Sequence, residues 1–91
     1  TEDLVVYPNP LKPSEGHQEM IFANLPEQTR RIGLYSFIGE RIYETEIDQA
    51  AGEYRLDIKS QGLKVPSGLY IYMVKDDKSR VLKSGKVVVV Q

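Results

Sequence analysis

The sequence contains no cysteine and no tryptophan, and it has one histidine and two phenylalanines. Without cysteine there is no disulfide staple, no thiolate nucleophile and no thiolate-bound zinc. The lone histidine, His17 in the loop "SEGHQE", cannot build a histidine-rich metal site, and it is expected as an exposed loop residue without a role. No serine stands in a G-x-S-x-G elbow, and no glycine belongs to a phosphate loop or a dinucleotide fingerprint. No run approaches the roughly 18 consecutive apolar residues of a membrane span, so direct membrane insertion is not expected. No signal peptide is visible. The chain begins Thr1-Glu2-Asp3 without an initiator methionine, which reads as a piece excised from a longer protein.

What is present is an ordinary globular composition, 91 residues with 41% hydrophobic and 27% charged side chains. That is one domain, residues 1–91, near the lower limit of what buries a workable core without staples. A net charge of −1 gives no global attraction to nucleic acid or acidic membrane. The balance is uneven, however: residues 1–57 carry 11 acidic and 5 basic side chains, residues 58–91 carry 2 and 7. Two readings stay open. The late basic strands pair with the earlier acidic ones, or they form a basic C-terminal patch that a receptor reads.

Carboxylates offer little chemistry. Asp76-Asp77-Lys78-Ser79 lacks the D-x-D-x-D-G pattern that gathers oxygens around calcium, and its residue types suit a hairpin turn. Glu44, Glu46 and Asp48 alternate and so share one face of a strand, most simply the solvated one. No catalytic residue, metal or cofactor is expected, and the chain does not read as an enzyme. The tyrosines fall in strand runs and the basic residues are scattered, against the basic-aromatic interleaving of nucleic-acid binders. Tyr35 and Tyr43 could serve a carbohydrate as stacking platforms if they face outward.

Apolar residues recur with a period of 2 and nowhere convincingly 3.6. The runs at 4–7, 19–24, 30–36, 41–47, 53–58, 69–75 and about 80–90 predict seven strands and no helix. Turn signals between them fall every 8–12 residues, the spacing of an antiparallel sandwich. A five-stranded barrel is the competing architecture; the immunoglobulin-like all-β sandwich fits better. Gly39, Gly52, Gly62 and Gly68 lie between strands, where the backbone often needs positive φ. The run 69–75 is apolar on both faces, Tyr70/Tyr72/Val74 and Leu69/Ile71/Met73. It is therefore a central strand flanked by long side chains, or its outer face docks on something. Tyr70 also fits a tyrosine corner, its hydroxyl tying the preceding loop.

The first strand is cut short in "LVVYPNPLKPSEG". Pro8 and Pro10 remove two ladder donors, and Pro8 restricts Tyr7 to extended geometry. Such a segment leaves one sheet and crosses to the edge of the other, protecting that edge from pairing with another chain.

Taken in order, these elements resemble one family. "VYPNPLKP" (6–13) is similar to the Y-P-N-P opening of the C-terminal sorting domains of type IX secretion, which are related to the immunoglobulin-like domain of the flagellar hook-capping protein. "EMIFANLP" (19–26), "IGLYSFIGERI" (32–42), "GEYRLDIKSQGLKVPSGLYIYMV" (52–74) and "SGKVVVV" (84–90) continue the family pattern. The resemblance implies a non-catalytic C-terminal sorting or anchoring module of a longer secreted or cell-surface protein. In the family, such a module is recognised by the secretion machinery of the Bacteroidetes outer membrane. The motif residues it carries over are Tyr7, Pro8, Asn9 and Pro10, then Gly39, Gly68 and Tyr70. The recognition surface it implies is the last strand, Lys83 and Lys86 with Val87, Val88, Val89 and Val90. A structural spacer packed on an upstream domain is the second reading, and a carbohydrate-binding sandwich the third.

Overall fold

Each of the seven sequence runs becomes a strand, with ends within one residue of those expected. A computed structural model describes residues 4–47, 52–58, 61–63 and 65–91. The strands are β1 (Val5–Tyr7), β2 (Glu19–Ala23), β3 (Arg31–Ser36), β4 (Arg41–Glu46), β5 (Glu53–Asp57), β6 (Gly68–Lys75) and β7 (Val81–Val89). Their only helical companion among the described residues is one 3₁₀ turn, Pro13–Glu15. Asp48 lies outside the described residues.

The strands form two antiparallel sheets, ordered β1-β2-β5 and β4-β3-β6-β7. Here β4 stays beside β3 instead of joining the first sheet, as the corresponding strand of a constant-type immunoglobulin domain does. Alternation explains the core. Val6, Met20, Phe22 and Leu56 point inward from the first sheet, and Ile32, Leu34, Tyr70, Val74, Val87 and Val89 from the second, all buried. Leu11, Leu25, Ile58 and Val65 close the rims. Phe22 sits at the centre, its ring 5.8 Å from Tyr72 in an edge-on contact and 6.3 Å from Tyr54 in a tilted one. Tyr54 and Tyr43 share a hydroxyl–hydroxyl hydrogen bond of 2.8 Å. Burial, reinforced by that bond, pushes the Tyr54 phenol up to about 12.

Strand β6 is central, between β3 and β7, and its outward Leu69, Ile71 and Met73 are half-buried among the side chains of those neighbours. Tyr70 donates its hydroxyl to the Pro66 carbonyl at 2.6 Å, the loop tie expected of a tyrosine corner. Two glycines answer two tyrosines. A Cβ at Gly33 would lie 2.8 Å from the Tyr35 ring, and one at Gly85 would fall on the Tyr72 phenol. Small residues at 33 and 85 let each tyrosine lie flat on the sheet, one outside and one inside.

Two loops differ from their sequence reading or sharpen it. His17 is half-buried, and its Nδ1 accepts the Lys12 N–H at 2.9 Å, so it closes the loop around the 3₁₀ turn instead of standing free in solvent. Asp76 does shape the β6–β7 hairpin: its Oδ1 accepts the N–H groups of Lys78 and Arg80, each at 2.9 Å, and its Oδ2 accepts Arg80 Nε at 2.9 Å. These bonds, the Arg80 backbone first, hold the Asp76 carboxyl below the usual carboxylate range. A lowered folded-state pKa gives stability that is present above the unfolded pKa, near 4, and is lost as pH falls through the folded value. Thermal midpoints measured from pH 6 to pH 2 should therefore fall less steeply in Asp76→Asn than in the parent chain, the two curves converging at the acid end. Parallel curves would show that the turn does not depend on the charge.

Candidate recognition surface

The proline-rich stretch after β1 does what its composition demands: it changes sheets. The Tyr7–Pro8 and Asn9–Pro10 peptide bonds are both cis. Asn9 then lies against the outer edge of β7, its amide donating to the Lys86 carbonyl at 3.2 Å and its Oδ1 accepting the Val88 N–H at 3.0 Å. An asparagine side chain offers a donor and an acceptor side by side, as a peptide group does, so Asn9 stands in for a neighbouring strand where flanking prolines cannot donate. Leu11 continues the pairing. Its N–H donates to the Val88 carbonyl at 2.7 Å and its carbonyl accepts the Val90 N–H at 2.8 Å, in a parallel bridge with Val89. Its side chain is fully buried.

The chain end is fixed a second time. Gln91 donates its backbone N–H to Ser67 Oγ at 2.8 Å and its side-chain amide to the Val65 carbonyl at 2.6 Å. Thus β7 is bound by β6 along its length, by Asn9 and Leu11 from Lys86 to Val90, and by Gln91 at its end. The side of its earlier part that faces away from β6, from Val81 to Gly85, is an edge with no neighbouring strand among the described residues.

Alternation divides the residues of β7. Val87 and Val89 are buried against the first sheet and are not accessible to a partner. Lys83 and Lys86 are exposed, and Val88 and Val90 stand 40% and 42% open. Of the motif residues, Tyr7, Asn9 and Pro10 are exposed and Pro8 half-buried beside that edge. Gly39 lies in the exposed β3–β4 turn with φ of 90°, where a side chain would be strained. Gly68 and Tyr70 begin β6 directly beside the end of β7, paired with Val89 and Val87.

Charge separates the outer face of the four-stranded sheet into two halves. On the β3–β4 side, Arg31 pairs with Glu46 at 3.0 Å, Arg41 with Glu44 at 3.4 Å, and Lys75 with Glu44 at 3.6 Å. Lys75 also donates to the Tyr35 hydroxyl at 3.0 Å, which raises its pKa. On the β7 side, Lys86 has no carboxylate in bridging range among the described residues, and neither does Lys83, which stands opposite Val74 and so lies on the other face of the strand. Among the described residues, only Lys75 therefore joins a late base to an early acid, and the last strand keeps its positive charge. Neither tyrosine offered as a stacking platform is free for it: Tyr43 turns toward the core and bonds Tyr54, and Tyr35 lies over Gly33 beneath Lys75. Among the described residues, no group of three or more His, Cys, Asp or Glu is placed to hold a metal ion. The Asn9 clasp and the Gln91 tie were not legible in the sequence beforehand. The Y-P-N-P spacing was the one signal that pointed to the former.

Comparison with known proteins adds three findings. Among solved structures, the chain is similar to PorZ of Porphyromonas gingivalis, described as an essential bacterial surface component of the type-IX secretion system, with a TM-score of 0.74 and 26% identity. That similarity covers 97% of this chain and 11% of PorZ, so the chain spans about a tenth of PorZ's length. A looser similarity to CopC of Methylosinus trichosporium OB3b has a TM-score of 0.47 and 15% identity, over 79% of this chain and 74% of that one. No curated protein matches the chain. The family model for the secretion system C-terminal sorting domain matches residues 5–90, and with the clasped sandwich described above it establishes that the chain belongs to the family of secretion system C-terminal sorting domains.

Proposed function

We propose that this domain acts as a non-catalytic export signal, carried at the C-terminal end of a larger protein and recognised by type IX machinery that moves the parent across the outer membrane. The observation that carries this reading is the family match over residues 5–90. The similarity to part of PorZ, itself a surface component of that system, supports the same pathway. The parent is then secreted or held at the cell surface.

Within this reading the residues divide by accessibility. Lys86, Val88 and Val90 form the face that a receptor meets and Lys83 adds charge from the other side of the strand, while Val87 and Val89 anchor it to the core. Tyr7, Pro8, Asn9 and Pro10 keep the edge of the strand occupied, so that the receptor reads a face and not an open ladder. Gly39, Gly68 and Tyr70 shape the turn and loop next to it.

A reporter fused upstream of residues 1–91 and expressed in a host with the type IX apparatus should reach the cell surface. The paired change Lys83→Glu with Lys86→Glu should leave it in the periplasm, with the thermal midpoint of the purified domain within a few degrees of the parent, since exposed substitutions cost about 0.5 kcal/mol or less. Periplasmic retention of the unaltered fusion would defeat the proposal.

A further inference from the structure

We propose that the pole of the domain where β7 ends is a docking site for a protein segment that presents one bulky apolar side chain followed by carboxylates. The starting point is a pair of residues the fold does not need. Phe37 and Ile38 sit at the tip of the β3–β4 hairpin, 70% and 80% exposed. The turn itself is made by others: Ser36 N–H donates to the Glu40 carbonyl at 2.8 Å, Gly39 N–H donates to the Ser36 carbonyl at 2.9 Å, and Glu40 N–H donates to Ser36 Oγ at 3.1 Å. Turn chemistry favours small polar residues at such a tip, and nothing in these bonds calls for two large apolar ones.

Register places the pair at the edge of a wider band. Ser36 is opposite Tyr70, so Phe37 adjoins Leu69, and Leu69 is paired on its other side with Val88. Phe37, Ile38 and Leu69 line a shallow cleft of about 250 Å³ together with Gly68 and Tyr70. That volume falls below the roughly 300–1,000 Å³ of small-molecule sites, and it suits a single side chain from a protein partner. The half-buried Ile71, next along β6, extends the apolar surface inward.

Charge selects the kind of partner. Ile71 is paired with Lys86, which stands exposed beside Val88 without a carboxylate partner among the described residues. On the opposite rim Glu40 is the one carboxylate among the residues lining the cleft. A partner acid is therefore favoured on the β7 side and disfavoured on the hairpin side, which orients the segment across the band. The chain runs parallel to β7 from Asn9 to Leu11, and β1 begins at the other pole, near the β6–β7 hairpin. This site enlarges the recognition face of the export signal and rests on that reading only for where the partner is met.

The test uses the ¹⁵N-labelled 91-residue chain and a synthetic peptide with a phenylalanine followed by glutamates. Amide shifts should cluster at Phe37–Gly39, Leu69 and Val88. The double change Phe37→Ser with Ile38→Ser should weaken the peptide at least about tenfold, as expected for a central apolar anchor. Lys86→Glu should weaken it about threefold to tenfold, and added salt should act in the same direction. Equal binding of a peptide with lysines in place of the glutamates would overturn the proposal. So would shifts confined to another surface, or no shifts at all. A dimer in sedimentation that the double serine variant dissolves would make a second copy the occupant, and a large fall in its thermal midpoint would make the two residues structural. The export assay separates this proposal from the sorting reading. Peptide binding without export of the unaltered fusion defeats only the sorting reading; normal export with no peptide binding defeats only the docking site.

Discussion

Replacing Leu11 with alanine should lower the unfolding free energy by about 2–5 kcal/mol, the range for truncating a fully buried leucine. The expectation is specific because Leu11 holds two positions at once. Its side chain plugs the rim of the core, and its backbone joins the crossing segment to the end of β7 through bonds of 2.7 and 2.8 Å. The backbone bonds survive the substitution in principle, but without the side chain little holds the segment in place to make them. Asn9→Ala removes the other half of the clasp, at about 1 kcal/mol, because its two hydrogen bonds are exposed and water can replace them. The two losses should not add, since both changes release the segment Asn9–Leu11 from the same edge. Urea unfolding of the two single variants and the double one measures this directly. A free β7 edge should also make the Leu11→Ala chain self-associate at high concentration, which sedimentation would detect. A loss under about 1 kcal/mol for Leu11→Ala would mean that the crossing segment rides on β7 without holding it.

The sequence made the strands easy to read because β structure here is local: period-2 alternation, β-branched residues and turn chemistry coincide in every run. Leu4-Val5-Val6-Tyr7 followed by Pro8 could only be a strand that stops, and "DDKS" between two apolar runs could only be a hairpin. The partition into sheets was less accessible. Whether β4 stays beside β3 or crosses over depends on packing between residues distant in the chain, and no local pattern encodes it. His17 shows the same limit on a smaller scale: its ring nitrogen matters only because Lys12, five residues earlier, folds back to donate to it. The candidate surface was legible in part. The late excess of lysine pointed to β7, and alternation alone then separates Val88 and Val90 from Val87 and Val89. The hairpin residues Phe37 and Ile38 read as an ordinary turn next to Gly39. Only the register of three strands brings them against Leu69 and Val88.

Phe22→Ala should have the largest effect of any single truncation, about 3–5 kcal/mol. Phe22 is fully buried on β2, in contact with Tyr54 and Tyr72. Tyr54 is held by its bond to Tyr43, and Tyr72 lies over Gly85. A domain of this size is stable by only about 5–15 kcal/mol, and each kcal/mol lowers its midpoint by about 4–8 °C, so the variant should melt at least roughly 12 °C lower. Tyrosine fluorescence follows the transition without interference, because the chain has no tryptophan. The same variant distinguishes two ways in which an export signal can be read. Phe22 contributes nothing to the exposed faces of β7 or the β3–β4 hairpin. If the machinery recognises the folded surface, export of a Phe22→Ala fusion should fall in step with the fraction folded and recover at lower temperature. If it reads the last strand as a linear segment, Phe22→Ala should be exported as well as the parent while Lys83→Glu with Lys86→Glu is not. The clasp favours the first outcome: a signal meant to be read as a bare strand would not have its edge occupied by Asn9 and Leu11 and its end fastened by Gln91.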